Sequence, residues 1–315
     1  MYICSKRSLT PKFGVPATAH IFGFGLKLAS KAQISRMKRT LFLVLLMPVL
    51  AAAQNRLHLV VSGGFSNYYG DLQGKPLTLD QAHGAFGLGL KYDLTNHFSV
   101  KGGMFYGKLS ADDKRNKPSL QPRNLNFHTR ILEGSLLAEY ALFDLQEKQF
   151  TPYAFGGVAI FRFNPYTFDS TGGKHYLQPL GTEGQGLAQY PDRKLYKLTQ
   201  FAIPFGAGLR LKVSEKVTLA YEFSLRKTFS DYIDDLSTTY VDPFILEAAR
   251  GSKAVELSYR GGELKDGIQT YPPEGSVRGG AKSKDWYYFS GITATIGIGN
   301  ALLGGGKGKT SCPKF

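Results

Sequence analysis

The sequence is poor in cysteine and has no long apolar run. Its 315 residues include only two cysteines, Cys4 and Cys312, which are too few for a disulfide framework or a multi-cysteine zinc site. Mean hydropathy is −0.18, and no apolar stretch approaches the roughly 20 residues that a membrane-spanning helix needs. These shortages exclude a disulfide-rich scaffold and a helical membrane protein.

Enzyme signatures are also missing. The chain contains no G-x-S-x-G, H-E-x-x-H or phosphate-loop pattern. The segment 181–186, GTEGQG, superficially suggests a phosphate cradle, but it joins no strand to a helix, so we expect a structured loop. The sequence therefore predicts no cofactor and no enzymatic activity.

Acidic residues are absent from the N-terminal part, which distorts the formal net charge of +15. Residues 1–53 carry eight Lys or Arg, and the remainder has 31 basic against 24 acidic residues. That balance is ordinary. No basic run is interleaved with stacking aromatics, so we expect no nucleic-acid partner.

Residues 37–53, MKRTLFLVLLMPVLAAA, have the organisation of a signal peptide. A charged start is followed by an apolar core that is too short to span a bilayer, and three alanines then satisfy the small-residue cleavage rule. Gln54 is the predicted first mature residue. Residues 1–36 are interpreted as a mis-called N-terminal extension, with translation starting at Met37. Gln54, and not a cysteine, stands directly after the cleavage site, so no lipoprotein anchor is expected.

What the chain does have is a two-residue apolar alternation that persists through the mature sequence. In 82–94, for example, Phe86, Leu88 and Leu90 share one face, whereas Gly87 and Lys91 share the other. Such alternation predicts β-strands. Eight strands are predicted, at 57–69, 82–94, 98–106, 130–142, 151–163, 200–213, 217–226 and 286–298.

A soluble sandwich also alternates, so the choice between sandwich and barrel depends on other features. The apolar faces exceed the usual strand length of about five to six residues, and the opposite faces hold glycine, serine and charge. Connections near Thr95, Gln146 and Ser214 are short, while the others are long. This pattern predicts an all-β fold, an eight-stranded antiparallel transmembrane β-barrel over 54–300 with long extracellular loops, in contact with outer-membrane lipids. Aromatic residues near strand ends, including Tyr153, are assigned to the membrane interfaces.

The predicted inward face carries charges of both signs. An eight-stranded barrel is just wide enough to be filled by its own side chains, so these charges are predicted to pair and plug the barrel rather than to line a channel. The predicted interior ion network consists of Lys91, Lys101, Glu133, Glu139, Arg162, Arg210, Glu222 and Arg226.

The loops offer one weak candidate for chemistry. Asp231, Asp234 and Asp235 follow the seventh strand, and carboxylates are the ligands that Ca²⁺ prefers. Their spacing fits no EF-hand, so solvated carboxylates that cap a turn are the favoured interpretation. An omptin-like hydrolase would pair such acids with a histidine, for which His128 and His175 are available in other loops.

Several segments go beyond general composition. They include NYYGDL at 67–72, TPYAFGGV at 151–158, LQPLGTEGQG at 177–186, RKTFSDYIDDLST at 226–238 and DWYY at 285–288. This series resembles the Bacteroidetes family of small outer-membrane barrels that includes PorG, a component of the type IX secretion apparatus, and it covers nearly all of 55–315. The resemblance implies a non-enzymatic subunit that contacts a periplasmic ring of PorK- and PorN-like proteins.

Three functions are therefore weighed: a structural or assembly subunit of type IX secretion, an outer-membrane enzyme with a loop-borne site, and a small passive barrel or adhesin. An even strand number places both chain ends in the periplasm, so partners there would meet the short turns and the Gly/Lys-rich tail 301–315. In that tail, Lys307, Lys309 and Cys312 are candidate docking residues, against the alternative of a disordered end.

Overall fold

The computed structural model describes residues 56–75, 78–280 and 284–298. Several sequence predictions lie outside these ranges: the extension, the signal peptide, and the tail with Lys307, Lys309 and Cys312. Within the described residues, no helix combines the length and apolar character needed to cross a bilayer.

The described residues form a closed barrel of eight antiparallel strands. The barrel strands are β1 Leu57–Tyr69, β2 His83–Asp93, β3 Phe98–Asp112, β4 Asn126–Ala141, β5 Phe150–Arg162, β8 Thr199–Lys212, β9 Val217–Thr228 and β10 Trp286–Gly297. Each pairs with its neighbour along the chain, and β1 pairs with β10 to close the ring. Closure leaves none of these eight strands with an unpaired edge. The predicted fold class is confirmed.

Strands β3 and β4 are longer than predicted. They continue past the residues whose outward side chains are apolar. Residues 107–112 lie beyond the predicted strand 98–106, and their outward positions hold Lys108, Ser110 and Asp112. Their inward positions nevertheless remain apolar, with Leu109 and Ala111 both 1% exposed. Outside a membrane the outward face of a strand need not be apolar. The alternation of apolar and polar residues that predicts a strand is therefore weaker there.

The outward face carries a broad apolar band. Phe86, Met104, Val158 and Phe201 are each at least 60% exposed, which is costly in water. On β5 the apolar outward positions run from Phe150 through Ile160, or about 33 Å at about 3.3 Å per residue. A tilt of about 40° reduces this to about 25 Å, the height of the apolar band of transmembrane barrels.

Glycines inside the barrel make room for aromatic rings. A Cβ added at Gly208 would lie 2.6 Å from the Tyr153 ring, and one at Gly206 would lie 2.6 Å from the Phe155 ring. Both rings point into the barrel and are nearly fully buried. The sequence is therefore rich in glycine and aromatics for one reason, which is that small and large residues face each other across the lumen.

Long connections build a folded cap over one end of the barrel, here called the loop end; the end with the short turns is the turn end. The cap contains a small hairpin, β6 Tyr166–Phe168 with β7 Lys174–Tyr176, and two helices, α1 Pro243–Arg250 and α2 Ser252–Ser258. Helix α1 begins where the Asp242 side chain accepts hydrogen bonds from the Phe244 and Ile245 amides, which satisfies two otherwise unpaired donors.

Candidate functional site

The barrel interior is crossed by a buried ion-pair network. At mid-height, Lys101 Nζ lies 2.9 Å from Glu139 and 3.2 Å from Glu222, and Arg210 lies 2.8 Å from Glu139. The Tyr153 hydroxyl donates to Glu222 at 3.1 Å. Each carboxylate thus receives more than one donor, as buried charges require if desolvation is to be offset.

Further pairs lie above and below this layer. Toward the loop end, Glu133 accepts from Arg226 Nε at 3.0 Å and from the Tyr287 hydroxyl at 2.8 Å. Toward the turn end, Lys91 lies 3.0 Å from Asp93. The ion pairs named here join four cations to four carboxylates, so these interior charges balance one another.

The structure places seven of the eight predicted network residues inside the barrel and the eighth, Arg162, outside. In β5 the even-numbered residues face outward, so Arg162 is exposed while Phe161 is buried. For the same reason Tyr153, assigned to the membrane interface, points inward. The sequence prediction exchanged the inward and outward positions of β5. This strand carries large residues on both faces, so hydrophobicity alone does not distinguish the two faces.

The interior has little free space. A cavity of about 50 Å³ touches Lys101, Glu133, Glu222 and Arg226, which is room for only a few water molecules. We therefore expect the purified protein in planar bilayers to show almost no conductance, with a sixteen-stranded porin as the positive control. Large, stable conductance steps would contradict a packed interior.

In the cap, the two longest segments of the family resemblance form a single buried network. From LQPLGTEGQG, the Glu183 carboxylate accepts hydrogen bonds from the Ser237 and Thr238 amides of the second segment, each at 3.0 Å. Arg278 donates to Glu183 at 3.0 Å and to the Asp235 carbonyl at 2.7 Å. Glu183, Asp235 and Arg278 are all essentially fully buried.

The glycine-rich segment 181–186 is a structured loop, as predicted. Gly184 and Gly186 both adopt φ of +75°, which non-glycine residues rarely tolerate. These turns direct Glu183 into the cap. The segment is thus part of the structural network and does not lie between a strand and a helix.

A second buried group joins the cap to the barrel. The Tyr68 hydroxyl lies 2.7 Å from Asp234 and 2.6 Å from Asp285. Burial is the largest cause that raises the pKa of both Asp234 and Asp285 well above the usual value. One hydroxyl proton cannot serve two carboxylates, so the geometry requires that one of the two acids is protonated and donates to the Tyr68 oxygen.

The acidic loop residues accept hydrogen bonds from side chains of the cap and the barrel. Asp231 accepts from Ser237, Asp234 from Tyr68, and Asp235 from Thr182 and Tyr196. Across the described residues, no group of three or more His, Cys, Asp or Glu side chains is arranged to hold a metal ion. The favoured sequence interpretation, solvated carboxylates, was wrong, because these carboxylates are at most 3% exposed.

The burial of these carboxylates predicts that the stability of the cap depends on pH. Burial raises the pKa of Asp231 and of Asp235 to about 6, above the unfolded value of about 3.9. A raised folded pKa gives stability that is fully present below the unfolded pKa and is lost as pH rises through about 6. Hydrogen-exchange protection of 229–240 should therefore fall between about pH 4 and pH 6. Asp231→Asn should flatten part of that change, whereas protection that rises with pH would refute the burial argument.

The two histidines named for a hydrolase lie elsewhere. His175 pairs with Asp169 at 2.9 Å, and the His128 ring packs against Tyr166 and Phe168. Neither contacts the Asp231–Asp235 segment. Sequence inspection missed a different pair, His83 Nε2 and Ser110 Oγ, which lie 2.6 Å apart near the loop end. The two residues come from adjacent strands, so their spacing carries no local signal.

Comparison with known proteins gives a family and several similar solved structures. The family model described as "Domain of unknown function (DUF6089)" matches residues 35–242. No curated protein matches the chain. Among solved structures, neisserial surface protein A is 7% identical with a TM-score of 0.37, covering 76% of this chain and 96% of its own.

Two further solved structures are similar at the same level. Ail, the attachment invasion locus protein of Yersinia pestis, is 9% identical with a TM-score of 0.35, covering 77% of this chain and 97% of its own. The outer membrane enzyme PagL is 10% identical with a TM-score of 0.29, covering 76% and 99%. At these identities the likeness concerns only the fold.

Proposed function

Since the chain belongs to the DUF6089 family of unknown function, we propose from its own geometry that it is a non-enzymatic outer-membrane barrel and a PorG-like structural subunit of type IX secretion. The observation that carries this proposal is the cap network. The two segments on which the resemblance depends bind each other through Glu183 and Arg278. The resembling residues are therefore used to hold a shape, as expected of a structural part.

The filled interior supports the same proposal. A barrel whose lumen is occupied by paired charges passes no solute, so what it offers to other molecules is its outer surface. In outer-membrane barrels the short turns face the periplasm. The first residue of β1, Leu57, and the last residue of β10, Gly297, also lie at the turn end.

The turns form a surface that a periplasmic ring can reach. The Asn96 amide donates to the Asp144 carboxylate at 2.6 Å, which joins the first turn to the second. Beside them lie exposed Glu147, Lys148 and Lys216. We expect PorK- and PorN-like ring proteins to dock on this surface.

Site-specific crosslinking tests this docking surface. A photoreactive residue at Gln146 or Ser214 should capture PorK- and PorN-like proteins in intact cells. The same residue at Lys265, exposed in the cap, is the matched control and should capture neither. Capture from Lys265 but not from the turns would reverse the proposed orientation, and capture from none would refute the ring contact and leave a passive barrel or adhesin.

The candidate docking tail has its own test. Truncation after Leu303 removes Lys307, Lys309 and Cys312 and should leave barrel folding intact while weakening capture of the ring proteins. Normal capture and normal cargo export by the truncated protein would exclude the tail and leave the turns as the docking surface.

The pair His83 and Ser110 favours an outer-membrane hydrolase as the second candidate function. A histidine within hydrogen-bonding distance of a serine can activate its hydroxyl. Among the described residues, however, no carboxylate hydrogen-bonds to His83 to orient it, as hydrolytic triads require. Ester hydrolysis by the purified protein that disappears in Ser110→Ala, with barrel folding unchanged, would favour the enzyme. Equal background rates would exclude it.

A further inference from the structure

Three cations form a patch on the outward face of three adjacent strands. Lys108 of β3 lies directly opposite Arg130 of β4. Leu132 of β4 lies opposite Arg162 of β5, so Arg130 and Arg162 are diagonal neighbours on the same face. All three cations are exposed. We call these three residues the basic rim.

The basic rim is not neutralised by the protein. Within the part of the chain that the structure describes, none of the three side chains has a hydrogen bond or ion pair with a carboxylate. Like charges directly opposite each other across two strands destabilise the pairing. An external anion that bridges Lys108 and Arg130 would convert that repulsion into attraction, whereas water only screens it.

The height of the basic rim identifies which anion can reach it. The next outward residues toward the turn end are Tyr106 on β3, Leu132 on β4 and Ile160 on β5, all within the apolar band. Along β5, Arg162 is therefore the first outward charge above about 25 Å of lipid-facing surface. At this level an embedded barrel meets lipid headgroups, and guanidinium groups bind phosphate through paired, charge-assisted hydrogen bonds.

Above the basic rim lies a group of rings, here called the aromatic shelf, which consists of His128, Tyr166, Phe168 and Tyr176. His128 is the next outward residue after Arg130 on β4, and it lies in register with Tyr166 of the small hairpin. Phe168 and Tyr176 are more than 40% exposed, and Lys174 Nζ sits 3.8 Å above the Tyr166 ring. Exposed rings beside cations suit the faces of sugar rings better than they suit water.

We propose that the basic rim binds the phosphate groups of a glycolipid headgroup in the leaflet at the loop end, with the aromatic shelf against its sugars. The inference rests on the proposed function only in requiring that the barrel spans a membrane. Lys108, Arg130 and Arg162 supply the phosphate contacts.

Native mass spectrometry of the full-length mature protein in detergent micelles tests this, with diphosphorylated lipid A as the probe. The wild-type protein should retain diphosphorylated lipid A more strongly than its dephosphorylated form. Arg130→Gln/Arg162→Gln should weaken retention roughly tenfold or more, as two phosphate contacts are lost. Lys148→Gln/Lys216→Gln, an equal charge change at the turn end, should leave it unchanged. Lys108→Gln alone should give a smaller loss.

The outcomes separate this inference from the function it builds on. The heat-modifiable mobility of the folded barrel reports folding for every variant, and the exposed, unpaired rim residues should not alter it. Lipid A retention that is unchanged in the rim variant, or equal weakening in the turn-end control, would overturn the basic-rim site. Failure of wild type to insert into lipid vesicles would instead refute the membrane barrel itself.

Discussion

Replacing Glu139 with leucine should destabilise the folded barrel by about 3–5 kcal/mol, because it removes one partner of a buried charge network and leaves the others. Glu139 is 2% exposed and lies within 3 Å of both Lys101 and Arg210. Lys101 retains Glu222, but Arg210 has no second carboxylate within salt-bridge distance among the described residues. The loss should appear as a lower urea midpoint for unfolding in detergent micelles.

Glu147→Leu provides the control with the same change of side chain. Glu147 lies exposed in a short turn, where such substitutions usually change stability by less than about 0.5 kcal/mol. Equal midpoint shifts for the two variants would show that the interior charges do not hold the barrel together.

Arg278→Met should open the cap while leaving the barrel folded. The Arg278 guanidinium is 1% exposed and joins three segments, through Glu183, the Asp235 carbonyl and the Ser258 carbonyl. Its loss leaves the buried Glu183 carboxylate without its cation, at a cost of about 3–5 kcal/mol. Because the strands do not depend on this contact, exchange protection in the loops should fall by roughly a hundredfold or more.

Hydrogen exchange resolved by segment measures this effect, with Lys265→Met as the control, since Lys265 is an exposed cation of the same cap. Protection in β4 and β9 should stay at the wild-type level. Loss of protection throughout the barrel would mean that the cap and the strands unfold as one unit, contrary to a cap that opens on its own.

The barrel could be predicted from the sequence because each strand carries its pattern within a few consecutive residues. A strand that faces lipid on one side repeats its pattern every two residues, and a membrane imposes that pattern over a known length. The pattern failed on β5, where Phe155 and Phe161 fill the lumen while Val158 and Ile160 face lipid. There, register against β4 and β8 decided the facing, and register is not visible in one strand.

The cap was not readable for a different reason. Arg278 and Glu183 are 95 residues apart in the chain, and Tyr68 and Asp285 are 217 apart. Nothing near Asp234 or Asp235 in the sequence indicates that a tyrosine or an arginine will cover them. An acidic loop therefore resembled a solvated turn, although it is a buried junction between the loops and the barrel.

The type IX role is tested most directly by deleting the gene and assaying export of type IX cargo, with complementation by wild type and by Ser110→Ala. The proposed structural role predicts that cargo stays inside the deletion strain and that both complementing genes restore its export. Normal export without the protein would contradict that role, and so would restoration by wild type but not by Ser110→Ala.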